Sequence, residues 1–129
     1  MKQKVVRIEV ILCGQRDQVE LIAGMLKRWF EGGDIQNRIG YWEGEQEDNL
    51  VITTDIPVHD RTYFLRSNGW VSVLEYAQKF LNQQVMYVRL GYDQAYLLAE
   101  HQDYLALYQD YLALHEGFEP VRLDYSPHL

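Results

Sequence analysis

Residues 103–116 read DYLALYQDYLALHE, a block of seven residues that occurs twice with changes only at its last two positions. A seven-residue repeat keeps one face of an α-helix in register over successive turns. The preceding residues fit the same frame, so the pattern predicts one amphipathic helix over residues 94–116. Its apolar side combines leucine with tyrosine, and its other side carries acidic and amide residues.

The two kinds of large side chain in this repeat suggest two different contacts. We expect Leu98, Leu105 and Leu112 to pack against the core of their own chain. A tyrosine combines an apolar ring with a hydroxyl that can stay wet at the rim of an interface. Tyr104, Tyr108 and Tyr111 are therefore predicted to bind a partner, as part of a symmetric homodimer contact.

The rest of the chain alternates between strand and helix patterns. Period-two alternation predicts strands over residues 4–12, 37–44, 49–56 and 85–90, with an acidic hairpin tip at 45–48. Apolar stripes predict a helix that Asp17 begins and another over residues 70–82. The order β-α-β-β-α-β resembles the ferredoxin-like arrangement. That resemblance implies an α+β fold: an antiparallel four-stranded sheet with two helices on one face, followed here by the added long C-terminal helix.

One segment supports a second interpretation. Residues 95–99 could form a fifth strand paired with residues 85–90 through the turn at Gly91, in which case the last helix begins near Gln102. In either case the chain is interpreted as a single domain, residues 1–129. It comprises a sheet-and-helix core over about 4–91, the long helix over about 94–116 and an irregular tail over 117–129.

Composition limits the function classes. The formal net charge is −7, and no Lys or Arg occurs between Arg89 and Arg122. An acidic chain repels phosphate backbones, so we expect no nucleic-acid partner but allow a protein with a basic surface. A single cysteine, Cys13, forms no internal disulfide, and no apolar run approaches 18 residues. We therefore expect a cytoplasmic protein without a membrane span.

The loop before the second predicted helix holds the densest group of reactive side chains. His59, Arg61 and Arg66 lie close together there, and Asn68 is the predicted helix cap. Free N–H groups at a helix start, together with two guanidinium groups, could bind an anion such as phosphate or carboxylate. His59 could serve as a base at such a site.

Other groupings are weaker. His101 and His115 are two heptads apart, which is too far for one metal ion within a straight helix. Cys13 precedes a predicted helix start, where the helix dipole could lower its thiol pKa. We predict no metal, no cofactor and no catalytic residue.

These patterns favour a small non-enzymatic protein that acts through protein–protein contact, as a homodimer. Two alternatives remain. One is a ligand-binding or enzymatic member of the dimeric ferredoxin-like (α+β barrel) class, with Val5, Arg7, Val51 and Thr53 lining a pocket between subunits. The other is an acidic inhibitor or immunity-type protein that covers a basic enzyme surface.

Overall fold

The computed structural model describes residues 5–58, 61–91 and 93–115, without the side chains of Trp42, Arg61, Leu65 and His115. A 3₁₀ turn, Ser67–Gly69, joins the second helix of this part of the chain to the third. In chain order the elements are β1 (Val5–Cys13), α1 (Arg16–Lys27), β2 (Asp34–Trp42), β3 (Glu45–Pro57), α2 (Arg61–Arg66), α3 (Trp70–Phe80), β4 (Met86–Leu90), β5 (Gln94–Leu98) and α4 (His101–His115).

The strands form one antiparallel sheet in the order β2-β3-β1-β4-β5. The predicted α+β class and antiparallel sheet are therefore confirmed. The sheet has five strands where the leading prediction had four, because the second interpretation of residues 95–99 is the one the structure adopts. Whether the chain is a single domain over its full length stays a prediction.

The core lies on one face of this sheet. Val6, Ile8, Val10 and Leu12 alternate along β1 and are all buried. The same apolar cluster includes buried residues of α1, α3 and α4, so these three helices cover that face. We call it the covered face. Residues at the intervening positions of β1 point to the opposite side of the sheet.

The β2–β3 hairpin turns earlier than predicted. Its strands end at Trp42 and begin again at Glu45, with Glu43 at φ 51° and Gly44 at φ 79° between them. Positive φ at both central residues defines a two-residue type I′ turn, whose twist suits a hairpin. The predicted acidic tip at 45–48 therefore belongs to β3, and both strands are longer than the alternation indicated.

The predicted long helix over residues 94–116 is wrong at its N-terminal end. Residues 94–98 form β5, which pairs with β4 across a turn where Gly91 has φ 71°. The helix α4 begins at His101 because the carboxylate of Asp103 accepts the N–H groups of Ala99 and Glu100, at 2.8 and 2.9 Å. Side-chain capping of this kind satisfies N–H groups that a helix start leaves without partners.

Helix α4 packs through two of the tyrosines that were predicted to bind a partner, as well as through the predicted leucine edge. Tyr104, Leu107 and Tyr111 belong to the core cluster, and both tyrosines are 0% exposed. Among the three predicted core leucines, Leu98 lies buried in β5, Leu105 is buried and Leu112 is partly buried against the cluster. The helix thus lies beside α3 on the covered face.

Candidate functional site

The face of the sheet opposite the core carries strand residues that lie outside the apolar cluster. We call it the open face. Directly paired residues of antiparallel strands project to the same side, so the strand register identifies its members. They are Val5, Arg7, Glu9, Ile11 and Cys13 of β1; Glu45, Glu47, Asn49, Val51, Thr53, Asp55 and Pro57 of β3; Asp34, Gln36, Arg38 and Gly40 of β2; Tyr87 and Arg89 of β4; and Ala95 and Leu97 of β5.

An apolar row crosses the open face through four neighbouring strands. Val51 pairs with Ile11, Ile11 with Tyr87, and Tyr87 with Leu97. Val51 is 1% exposed, so its neighbours already cover it, whereas Leu97 at the far end is 56% exposed. The row therefore changes from a covered centre to an apolar edge in contact with solvent.

Charged side chains flank this row. Arg7 donates two hydrogen bonds to the carboxylate of Asp55, at 2.9 and 3.0 Å, and Arg38 lies 3.7 Å from Glu9. The hydrogen bonds from Arg7 lower the pKa of Asp55 below its ordinary value. Arg89 donates to the hydroxyl of Tyr87 at 3.0 Å. These contacts fix the arginines in place across the face.

Two grooves lie against the open face. The first groove, of 600 Å³, lies along β1, β2 and β3. Its wall includes Arg7, Glu9, Thr53 and Asp55. The second, of 810 Å³, lies between the β2–β3 hairpin and residues 82–87, and includes the apolar row. Both volumes fall within the roughly 300–1,000 Å³ typical of small-molecule sites.

Cys13 lies in the wall of the second groove and is half-buried. Its Sγ donates to Oδ1 of Asn49 at 2.8 Å. Burial, followed by the negative charge of Glu47 and a hydrogen bond to it, raises the pKa of the thiol to about 11. The hypothesis of a lowered pKa is therefore wrong, because a thiol this weakly acidic is protonated at neutral pH.

The predicted anion site is not assembled in the way the sequence suggested. The helical segment begins at Arg61, and α3 continues from the 3₁₀ turn, so Asn68 does not cap a free helix start. Arg66 is exposed and lies 3.6 Å from Glu31 and 5.8 Å from the centre of the Tyr63 ring. His59 and the side chain of Arg61 lie outside the described residues, so anion binding there stays a prediction.

The tyrosines predicted to contact a partner lie mainly inside the chain. The hydroxyl of Tyr104 donates to Gln78 Oε1 at 2.7 Å, and that of Tyr111 donates to the carbonyl of Phe64 at 3.1 Å. Full burial with internal hydrogen-bond partners leaves neither ring available to a second chain. Tyr108 is partly buried against the core.

The remaining expectations concern metals and membranes. His101 Nδ1 lies 2.6 Å from Glu75 Oε2, and the side chain of His115 is outside the described residues. Within residues 5–58, 61–91 and 93–115, no three His, Cys, Asp or Glu side chains come together as a possible metal site. Across the same ranges, no helix is both long and apolar enough to cross a membrane.

Sequence reasoning named Val5, Arg7, Val51 and Thr53 as one mixed face but missed its extent. The additional members come from β2, β4 and β5, which contribute through the strand order. Alternation within a strand shows which residues share a side, but it does not show which strands are neighbours. The helix predicted over residues 94–116 includes Leu97, so the sequence pattern does not place this exposed leucine on the sheet.

Comparison with known protein families and with curated proteins gives no match. Among solved structures, the chain is similar to a point mutant of CutA1 from Pyrococcus horikoshii OT3, with 12% identity over 85% of this chain and 96% of that chain. The TM-score is 0.36, which does not establish a common fold.

Proposed function

We propose that this protein acts non-enzymatically through protein–protein contact, and that its first partner is a second copy of itself packed against the open face. The observation that carries the proposal is the apolar row Val51, Ile11, Tyr87 and Leu97, which ends in an exposed leucine. Burying apolar surface against a partner removes it from water and so lowers the free energy of the system.

The charges of the open face also allow contact with a second copy. The face has three arginines, Arg7, Arg38 and Arg89, and five carboxylates, Glu9, Asp34, Glu45, Glu47 and Asp55. Its formal charge is −2, whereas the whole chain carries −7. Because both signs of charge are present on one surface, arginines of one copy can pair with carboxylates of the other across a twofold axis.

The size of the open face also suits a dimer. Five strands cover about 24 Å across the sheet, and nine-residue β1 runs for about 30 Å along it. Because the outer strands are shorter or offset, the shared area is on the order of 600 Å² per copy, near the roughly 800 Å² of a standard interface.

The order β2-β3-β1-β4 supports placing the fold in the ferredoxin-like arrangement, as part of the same proposal.

A ligand-binding role is the second candidate, and the two grooves favour it. Packing a second copy over the open face would turn each groove from an open depression into an enclosed cavity between subunits. The cavity formed from the first groove would be lined by arginines and carboxylates, and the cavity formed from the second groove would include Tyr87 and Leu97. A ligand that binds there is expected to raise the melting temperature only when the dimer is intact.

The contact is tested with matched leucine variants. Leu97→Glu places a charge on the open face, and Leu21→Glu places the same charge on α1, where the leucine is 54% exposed against 56% for Leu97. Light scattering over a concentration series should show the same association for the parent and for Leu21→Glu. Leu97→Glu should weaken association about tenfold or more, equivalent to about 1.4 kcal/mol.

Two outcomes would overturn the face contact. The first is a parent that associates equally well with and without Leu97→Glu. The second is a monomeric parent whose Leu97→Glu variant unfolds, which would assign this face to the fold of the single chain. Circular dichroism melting of each variant separates loss of association from loss of fold.

A further inference from the structure

Among the described residues, no strand pairs with the outer edge of β2, which is therefore a second candidate surface for contact. β2 lies at one end of the sheet and pairs on its other side with β3 over nine consecutive residue pairs, from Asp34 to Trp42, without a bulge. An edge strand offers a row of backbone donors and acceptors to any extended chain that reaches it. From this edge we infer that β2 pairs antiparallel with β2 of a second copy.

Ladder geometry identifies the residues whose backbone groups point outward. Gly91 donates its N–H to the carbonyl of Arg7 at 2.7 Å, so odd residues of β1 bond toward β4 and even residues toward β3. In an antiparallel sheet both groups of a residue point the same way, and the direction alternates along each strand. We applied this rule first to the β1–β3 register and then to the β2–β3 register. Four residues of β2 then direct their backbone N–H and C=O groups away from the sheet: Ile35, Asn37, Ile39 and Tyr41.

Edge protection is weak along β2. Proteins commonly prevent edge pairing with Lys, Pro, a bulge or a very short strand. β2 reads DIQNRIGYW and contains neither Lys nor Pro. Ile39 is 63% and Tyr41 76% exposed, so apolar side chains accompany the outward backbone groups. By contrast, β5 at the opposite edge has only five residues, and only Ala95 and Leu97 direct their backbone N–H and C=O groups away from the sheet.

Side chains favour one register of β2 against itself. A twofold axis at Asn37 pairs Ile35 of each copy with Ile39 of the other, so apolar pairs lie on both sides of the axis. It also places Asp34 diagonally across from Arg38, within reach of the long arginine side chain. Three outward pairs then exchange about six backbone hydrogen bonds. An axis at Arg38 would instead place two arginines opposite each other, which is unfavourable.

This contact is separate from the proposed contact through the open face. The edge uses backbone groups in the plane of the sheet, whereas the face uses side chains perpendicular to it. Two twofold contacts through different surfaces give a closed assembly of two dimers when their axes cross at right angles. If the face contact is absent, edge pairing alone gives a dimer with one continuous sheet.

Proline at an outward position tests the inference in a Leu97→Glu background, which removes the face contact. Asn37→Pro deletes an outward N–H without removing a β2–β3 ladder bond. Ala95→Pro does the same at the β5 edge. We expect light scattering to show a dimer for Leu97→Glu alone and with Ala95→Pro, and a monomer with Asn37→Pro. Arg16→Ala controls for the Arg16 hydrogen bond to Asn37 and should leave the dimer intact.

A cysteine at the axis tests the register. In antiparallel pairs with hydrogen bonds the Cα atoms lie about 5.5 Å apart, within the roughly 4.4–6.8 Å of disulfides. Mild oxidation should therefore link Asn37→Cys into a covalent dimer much faster than Leu21→Cys, which also places a thiol at an exposed position, on α1. Ile39→Lys, a charged edge that keeps the β2–β3 pairing, should abolish the link. Equal rates at both positions, or a dimer that persists with Asn37→Pro, would overturn edge pairing.

Discussion

The two faces of the sheet differ in the types of side chain that they carry and in how deeply those side chains are buried. On the covered face Val6, Ile8, Val10 and Leu12 are all apolar and at most 5% exposed. On the open face the neighbouring positions of β1 include apolar and charged side chains: Val5, Arg7, Glu9, Ile11 and Cys13. An antiparallel sheet is stable with one face packed and one face solvated. The open face is therefore the part of the sheet whose side chains are free to serve contact with another molecule.

The tyrosines extend this comparison. On the covered face Tyr111 stacks on Phe64 with ring centres 4.3 Å apart and meets Trp70 edge-on at 5.6 Å. On the open face Tyr87 is partly exposed and its hydroxyl accepts from Arg89. The same residue type thus packs as a core aromatic on one side and as a surface aromatic on the other.

The largest expected effect is the loss of a covered-face ring. Tyr111→Ala should lower the free energy of unfolding by about 3–5 kcal/mol, because it leaves a cavity between Phe64 and Trp70. Tyr87→Ala on the open face should cost about 1 kcal/mol or less in the monomer. Urea unfolding of the parent and both variants measures the difference, and similar losses at the two positions would contradict the comparison.

A buried hydrogen bond of the covered face gives the next effect. The hydroxyl of Tyr96 in β5 donates to the carboxylate of Asp110 in α4, and both residues are buried. Tyr96→Phe keeps the ring and removes the donor, so we expect a loss of about 1.5–3 kcal/mol, the range for hydrogen bonds to charged groups. Tyr87→Phe is the open-face control and should cost less than about 0.5 kcal/mol. Thermal and urea unfolding check both.

The sequence predicts the covered face well and α4 only in part. Alternation in β1 identifies the buried residues because period two is a local property. The sequence predicts a partner contact for the tyrosines of α4, because their hydroxyls need polar neighbours. Those neighbours, Gln78 and the carbonyl of Phe64, come from distant parts of the chain. A helical period shows which side is apolar, but it does not show what will cover that side.

The open face was predictable only within single strands. Arg7 and Asp55 meet because β1 pairs with β3, and Leu97 joins the face because β5 pairs with β4. Two local signals could have identified β5: glycine at the turn position 91, and the spacing of Glu100 and Asp103 at the helix start. The heptad frame extended through these signals because Leu97 and Leu98 also fit it.

Alkaline titration separates the two faces by a spectroscopic signal. Burial raises the pKa of both Tyr104 and Tyr111. A raised folded pKa means that stability is complete below the unfolded value of about 10 and is lost as pH rises above it. Each such tyrosine should remove about 1.4 kcal/mol per pH unit above about 10. Absorbance at 295 nm should show them ionising only on unfolding, and Tyr111→Phe should reduce the slope.

The smallest effect concerns the Arg7–Asp55 pair, and it is also the one that reports on a second chain. The hydrogen bonds from Arg7 lower the pKa of Asp55, so the pair stabilises the fold above the unfolded pKa of about 3.9. That contribution is lost as pH falls through the lower folded value. Because both side chains are well exposed, Asp55→Asn should cost only about 0.2–1 kcal/mol at neutral pH.

The parent and Asp55→Asn should therefore converge in stability as the pH falls below about 4. Asp48→Asn, an exposed carboxylate of the same strand, is the control for a change of net charge alone. At protein concentrations where copies associate, the cost of Asp55→Asn should increase at neutral pH, because losing the Asp55 charge beside Arg7 costs more where a partner excludes water. A cost that stays the same across the concentration range would mean that this part of the open face remains in water in the assembly.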